Sequence, residues 1–309
     1  MRFYSEDQVR RAINVDDLIR VIKDAFARGF ATIHMPARTG LSMDKAILLI
    51  MPCYDSALKA AGVKLVSVSV KAGVQALYEL LDPQTGITVA RMEAKYLTDI
   101  RTAATSAVAT DLLARKDVET LGIFGSGRLA AAHLAALPRV RNFKRVLVCG
   151  SGRSDVSAFC EKMKNDLGVH LELAKAETLA RESDVICTCT TSHEALFDGN
   201  WLRPGTHLNL VGAFRPDECE VDDITVKRAR VVVDTYEGAL QEAGDLLIPI
   251  KNGTIDRSHI IADLHEIASG KKAARTSAES ITLFKSVGCA VEDLVTAQLI
   301  YQRASIDND

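Results

Sequence analysis

The sequence predicts an α/β fold, in which a doubly wound parallel sheet is joined to a second, discontinuous α+β domain. Two observations carry this expectation. From Thr120 onward, short apolar runs alternate with stretches of helical spacing, the pattern of parallel strands linked by crossover helices. Before that point three apolar runs are separated by turn residues alone, and near the end a long helical pattern closes the chain. A chain of 309 residues also exceeds what one hydrophobic core usually serves, so two domains are expected.

Taken in order, Ser5-Glu6-Asp7-Gln8 has the form of a capping box, and Leu18, Val21, Ile22, Ala25 and Phe26 then share one helical face. Apolar runs at 46–51, 63–70 and 77–81, followed by the turn Asp82-Pro83-Gln84-Thr85-Gly86, read as a largely antiparallel sheet. An alanine-rich helix follows over 98–114, and Arg115-Lys116-Asp117 reads as the exit from the first domain. Strands are then expected at 120–124, 145–149, near Leu171, and at 184–188, 206–211 and 231–234. Helices are expected from Arg128, over 155–167 and around Glu177. A last helix over 291–304 places Leu294, Ala297, Leu299 and Ile300 to pack back onto the first domain. The domains therefore read as 1–116 with 290–309, and 117–289.

Composition narrows the function classes. The formal net charge is -2 and no basic face is concentrated anywhere, which argues against nucleic acid as the partner. No stretch approaches the length of a membrane span, and the opening residues hold no apolar signal core. The seven cysteines (Cys53, Cys149, Cys160, Cys187, Cys189, Cys219 and Cys289) are scattered and mostly embedded in apolar runs, as reduced core residues of a cytoplasmic protein would be. Cys187-Thr188-Cys189 points two thiols to one face, but no second pair completes a zinc set, so no metal is expected.

The most informative segment is Gly125-Ser126-Gly127-Arg128-Leu129-Ala130, which follows the strand Leu121-Gly122-Ile123-Phe124 and runs directly into a helix. Glycine at 125 permits a tight turn, glycine at 127 lets the backbone approach a pyrophosphate, and small Ala130 lets helix and strand pack closely. With a second strand about 25 residues on, the context is that of a Rossmann dinucleotide-binding domain. That second strand ends Cys149-Gly150-Ser151-Gly152-Arg153-Ser154, with no carboxylate for a ribose 2′-hydroxyl before Asp155. Ser151, Arg153 and Ser154 could instead donate to a 2′-phosphate, so NADP is favoured, with NAD as the alternative.

Three cations lie where a solvated charge is less expected: Arg38 after Met35-Pro36-Ala37, Lys64 opening an apolar run, and Arg101 within an otherwise small and apolar helix. Singly, each also suits a surface position or a structural salt bridge. Together, facing a nicotinamide, they would suit a carboxylate.

The segments Leu97-Thr98-Asp99-Ile100-Arg101-Thr102-Ala103-Ala104, Gly125-Ser126-Gly127, Val211-Gly212-Ala213-Phe214-Arg215-Pro216-Asp217-Glu218 and Phe284-Lys285-Ser286-Val287-Gly288-Cys289-Ala290-Val291-Glu292-Asp293-Leu294 together resemble the ornithine cyclodeaminase and mu-crystallin family. The resemblance implies a homodimer, with dimer contacts and substrate groups in the first domain and a Rossmann domain second. Carried over by position, it implies that Arg38, Lys64 and Arg101 hold a substrate carboxylate, with Lys64 near the reacting carbon and Arg101 also touching the cofactor. Thr190, Val211, Gly212 and Ser286 would line the dinucleotide beside Gly125, Ser126, Gly127, Arg128 and Leu129.

One departure decides between branches. Where the cyclodeaminases carry an aspartate two residues after the glycine matching Gly212, this sequence has Phe214, and the Ala213-Phe214-Arg215-Pro216-Asp217 form looks like the ketimine reductase and pyrroline-2-carboxylate reductase branch. The implied activity is NAD(P)H-dependent reduction of a cyclic imine carboxylate, such as 1-pyrroline-2-carboxylate or 1-piperideine-2-carboxylate, to the cyclic L-amino acid. An alanine-type or N-substituted amino-acid dehydrogenase, an ornithine cyclodeaminase, and a cofactor-dependent small-ligand binding protein stand as alternatives.

Overall fold

The computed structural model describes residues 1–150 and 156–306. It divides into two compact units, Met1–Thr105 with Gly288–Asp309, and Ser106–Val287. The division falls earlier than the 116/117 boundary expected from sequence, because the helix Lys95–Leu113 runs through it. Its last turns belong to the second unit, where Thr110 Oγ1 accepts from Asn209 Nδ2 at 2.9 Å. A helix buried on nearly every side gives no change of composition at which to read a border.

The first unit is built on a seven-stranded sheet: β1 (Arg2–Tyr4), β2 (Ile33–His34), β3 (Thr39–Met43), β4 (Ala46–Asp55), β5 (Ala60–Ser69), β6 (Gly73–Leu81) and β7 (Thr88–Glu93). The order is β1-β7-β6-β5-β4-β2, with β3 also on β4, and every pairing is antiparallel except β1 on β7. The three expected runs are its central strands, each longer than its apolar stretch. β3 and β7 escaped notice because glycine and serine dilute one, and Arg91 and Glu93 interrupt the other.

Register fixes which side chains share a face. Met51, Lys64, Tyr78 and Met92 lie in one row across β4, β5, β6 and β7, all buried. That inner face is covered by the helix Ala290–Ile306, on which Leu294, Ala297, Leu299 and Ile300 are all buried. At the start of the chain two helices stand where one was expected. Ser5 and Gln8 form the capping box of Glu6–Ala12, and Asn14 then caps Val15–Arg28, which carries the Leu18, Ile22, Ala25 and Phe26 face.

Among the described residues the second unit holds eight strands, all parallel: β8 (Thr120–Phe124), β9 (Arg145–Cys149), β10 (Glu172–Leu173), β11 (Val185–Thr188), β12 (His207–Leu210), β13 (Arg230–Val233), β14 (Ile260–Asp263) and β15 (Thr282–Lys285). Their order, β10-β9-β8-β11-β12-β15-β13-β14, starts at the centre, runs outward through β9 and β10, then returns past β8 to β11 and β12. This is the doubly wound Rossmann arrangement, with a switch point between β8 and β11. β14 and β15 are additional to the expected strands. Each is only four residues long, too short to separate from a buried helical turn by periodicity.

Candidate active site

Parallel strands present their carboxyl ends along one edge, and ligands of such sheets bind outside that edge at the switch point. Here a cavity of about 770 Å³ opens there, lined by Phe124, Gly125, Ser126, Gly127, Cys149, Gly150 and the 189–194 loop with Leu196. Gly125 has φ +110°, and a Cβ on it would lie 2.7 Å from Cys189 O, so only glycine fits between the two loops. In front of Gly127 the space is open, and as N-cap of the helix Arg128–Ala136 it brings no capping side chain. Ala130 is fully buried, as close helix–strand packing requires. An open glycine turn at a helix N-terminus fits a pyrophosphate.

Of the other expected cofactor residues, Thr190 lines this cavity. Val211 is buried, and Gly212 packs so closely that a Cβ would come 2.2 Å from Thr190 O. Ser286 is also buried, its hydroxyl donating to Asp234 at 2.9 Å. Ser151, Arg153 and Ser154 lie outside the described residues. Phe214 is partly exposed. Cys187 and Cys189 are buried against Asn209 and His133 respectively, and among the described residues no His, Cys, Asp and Glu side chains group to hold a metal.

In the first unit, Arg38, Lys64 and Arg101 come together. Lys64 projects from the inner face of β5 and is 1% exposed, with Nζ 2.7 Å from Asp293 Oδ2. Arg101 donates from Nε to Asp293 Oδ1 at 2.9 Å and from Nη1 to Glu292 Oε2 at 2.6 Å. Arg38 donates to Gly288 O at 3.2 Å, and Gly288, at φ +81°, lets the Arg101 guanidinium pack directly on the backbone. A Cβ there would lie 2.7 Å from Arg101 Nη1.

Electrostatics follow from this packing. Burial, with the nearby Arg101 and Arg38 charges, pulls the Lys64 pKa down to about 8, against the opposing pull of Asp293. Burial works against the Arg101 charge too, but Asp293 and Glu292 outweigh it and hold the guanidinium charged. Three cations and the carboxylates of Glu292 and Asp293 thus meet in a water-poor setting.

Beside them stands Tyr78, fully buried, whose hydroxyl has no hydrogen-bond partner among the described residues. Burial, Asp293 and Cys53 push its pKa well up, so it stays a neutral hydroxyl.

Sequence reasoning assigned no role to Glu292, Asp293, Tyr78 or Glu220. The acidic pair opens the last helix, where carboxylates usually serve the helix dipole, so nothing marked it as a counter-charge for Lys64 and Arg101. Tyr78 could have been found from strand alternation, which puts it on the face of Leu80 and Ala76.

Fold and sites thus define an α/β protein whose second unit is a Rossmann unit and whose first unit holds a cationic cluster lined by carboxylates. The family model for the ornithine cyclodeaminase/mu-crystallin family matches residues 2–308, so the chain belongs to that family. It is 36% identical over 315 residues to a Delta(1)-pyrroline-2-carboxylate reductase of Bacillus cereus, covering 98% of this chain and 97% of that one. It is 35% identical to ketimine reductase mu-crystallin of Rattus norvegicus over 312 residues, 97% of this chain and 96% of that one. The solved Thermococcus litoralis Delta(1)-pyrroline-2-carboxylate reductase, in complex with NADH and L-proline, superposes with a TM-score of 0.96 at 37% identity, covering 100% of this chain and 98% of that one.

Proposed function

We propose that this chain reduces a cyclic imine carboxylate, 1-pyrroline-2-carboxylate or 1-piperideine-2-carboxylate, to the cyclic L-amino acid with NADH or NADPH. The observation that carries the reading is the convergence of Arg38, Lys64 and Arg101 in one largely buried cluster, a cationic setting that suits a substrate carboxylate. The relatives named as pyrroline-2-carboxylate and ketimine reductases support it, as does the solved relative holding NADH and L-proline.

In this reading the dinucleotide supplies hydride to the imine carbon. Arg38, Lys64 and Arg101 clamp the carboxylate by charge-assisted hydrogen bonds, and Lys64 lies nearest the reacting carbon. Glu292 and Asp293 keep the two innermost cations in place. Arg101 also touches the dinucleotide. The Gly125-Ser126-Gly127-Arg128-Leu129 turn takes the pyrophosphate, with Thr190, Val211, Gly212 and Ser286 along the rest of the ligand. Ser151, Arg153 and Ser154 set the preference for NADPH.

The same reading makes the protein a cytoplasmic homodimer, and all seven cysteines are free. The outer face of the first sheet carries an open apolar patch, bordered by Ser67, Gln75 and the Glu79–Arg91 pair: Leu41 and Met43 on β3 and Leu77 on β6 are 54%, 47% and 39% exposed, with Ile50 and Leu65 half-buried between them. A second copy of this face is the natural cover.

The test is oxidation of NADPH and of NADH, measured with the two cyclic imines, with pyruvate plus ammonia, and with glyoxylate plus amines. Turnover confined to the cyclic imines is the expected result. Turnover only with an open-chain oxo acid and amine would make the protein an amino-acid dehydrogenase, and ligand binding without any turnover would make it a binding protein.

A further inference from the structure

The loops that follow β11 and β12 are tied to each other by one carboxylate. Glu220 has no exposed surface. Its Oε1 accepts from Thr190 N and Thr190 Oγ1, both at 2.8 Å. Its Oε2 accepts from Thr188 Oγ1 at 2.7 Å, Gly212 N at 2.8 Å and Ala213 N at 3.2 Å. Three of these donors are backbone N–H groups that cannot reverse their polarity, so the ionised carboxylate is the form that suits them.

Glu220 is itself held. Asp245 Oδ1 accepts from Glu220 N at 2.7 Å and from Val221 N at 3.2 Å. The other Asp245 oxygen pairs with Lys285 Nζ at 2.8 Å, and Lys285 donates to Ala213 O at 2.5 Å. All three charged side chains are buried. A buried ion network of this kind adds little net stability over apolar packing, so its use is to fix geometry. The geometry it fixes reaches the glycine turn by direct contact. Gly212 packs on Thr190, whose neighbour Cys189 packs on Gly125.

We propose that Glu220, held by Asp245 and Lys285, is a positioning residue for the dinucleotide: it sets the backbone at Thr190 and Gly212 against which the ligand lies, without touching the ligand. The inference rests on reading the Gly125 cavity as the dinucleotide site. It assigns to an acidic segment, Asp217 to Asp223, a role other than that of a solvated loop.

Affinity is read directly, by fluorescence titration of NADH and NADPH, beside melting temperature and steady-state kinetics. Glu220→Gln turns an amide NH2 toward donors, and dissociation and Michaelis constants for the dinucleotide should rise at least about tenfold, with kcat at saturation nearly kept. Glu220→Asp, which keeps the charge, should recover part of the loss. Thr188→Val removes one donor without changing side-chain volume, and should weaken binding about threefold even if Glu220→Gln does not fold.

Arg275→Ala is the stability control, since Arg275 ties the carbonyl of Leu113, at the end of the helix Lys95–Leu113, to those of Gly205 and Ser280 before the starts of β12 and β15. It should lower the melting temperature and leave affinity unchanged. Unchanged affinity in Glu220→Gln or Thr188→Val, or an equal loss in Arg275→Ala at matched stability, overturns the inference alone. A native protein that binds neither dinucleotide overturns the reading of the cavity and the inference with it.

Discussion

Lys64 Nζ lies 2.7 Å from Asp293 Oδ2, so a lysine in the middle of a sheet and the first turn of the last helix share one buried charge pair. The pair is uneven, because Arg38 and Arg101 oppose the Lys64 charge while Asp293 supports it.

This gives two pH effects with defined signs. The Lys64 pKa is lowered from 10.5 to about 8, so between those values the unfolded chain binds more protons than the folded one, and stability rises with pH across that window. Urea unfolding of the native protein and of Lys64→Met, compared from pH 7 to pH 10.5, should show the native protein gaining ground, by an amount on the order of 3 kcal/mol. A constant difference would contradict the Lys64 environment. If the charged form holds the substrate, kcat/KM should also fall as pH rises through about 8. Asp293→Asn, which removes the supporting charge, should move that fall to lower pH.

Arg101 binds both carboxylates of the last helix at once. Arg101→Ala leaves Glu292 without its guanidinium partner in the interior, and breaking a buried pair in this way costs about 3–5 kcal/mol. Arg101→Lys should recover part of the stability and little of the activity, because an ammonium cannot span two acceptors with one planar fork. Thermal melts and kcat/KM for the cyclic imines separate the two effects. For activity, a loss of roughly ten- to a hundredfold or more is expected from either change.

How much of this was legible in the sequence depended on where each signal sits. β8 and β9 and the helix from Arg128 were readable to the residue, because a buried parallel strand is a continuous apolar run and the glycine turn marks its end. The three cations stood out as charges in apolar surroundings. Their counter-charges did not, since Glu292 and Asp293 are far from Lys64 and Arg101 in the chain and look like ordinary helix-start acids. Glu220 was hidden differently. Asp217, Glu218, Asp222 and Asp223 surround it, and composition alone cannot tell the one buried acid from neighbours that are exposed or half-buried.

The outer face of the first sheet offers a separate test. Leu77 is 39% exposed beside half-buried Leu65. Replacing Leu77 by Arg puts a charge on that apolar patch beside Leu65 and should convert a dimer to a monomer, as light scattering would measure. A native protein that is already monomeric at micromolar concentration would remove the reason for that face.

Gly125 and Gly127 are two residues apart in one turn, yet they should fail in different ways when changed to alanine. At Gly125 the backbone has φ +110° and the added methyl would meet Cys189 O at 2.7 Å, so Gly125→Ala incurs both backbone strain and a clash with a rigid neighbour. A loss of about 1–3 kcal/mol in stability is expected, together with loss of dinucleotide binding. Gly127 lies in ordinary extended backbone with open space before it, so Gly127→Ala should change stability by no more than about 0.5 kcal/mol. Its methyl would still occupy the ground that a pyrophosphate needs, and dinucleotide affinity should fall with the fold intact. Melting temperature and NADH titration of the two variants, side by side, check both halves. Equal destabilisation, or full affinity in Gly127→Ala, would show that the turn is shaped for the fold and not for a ligand.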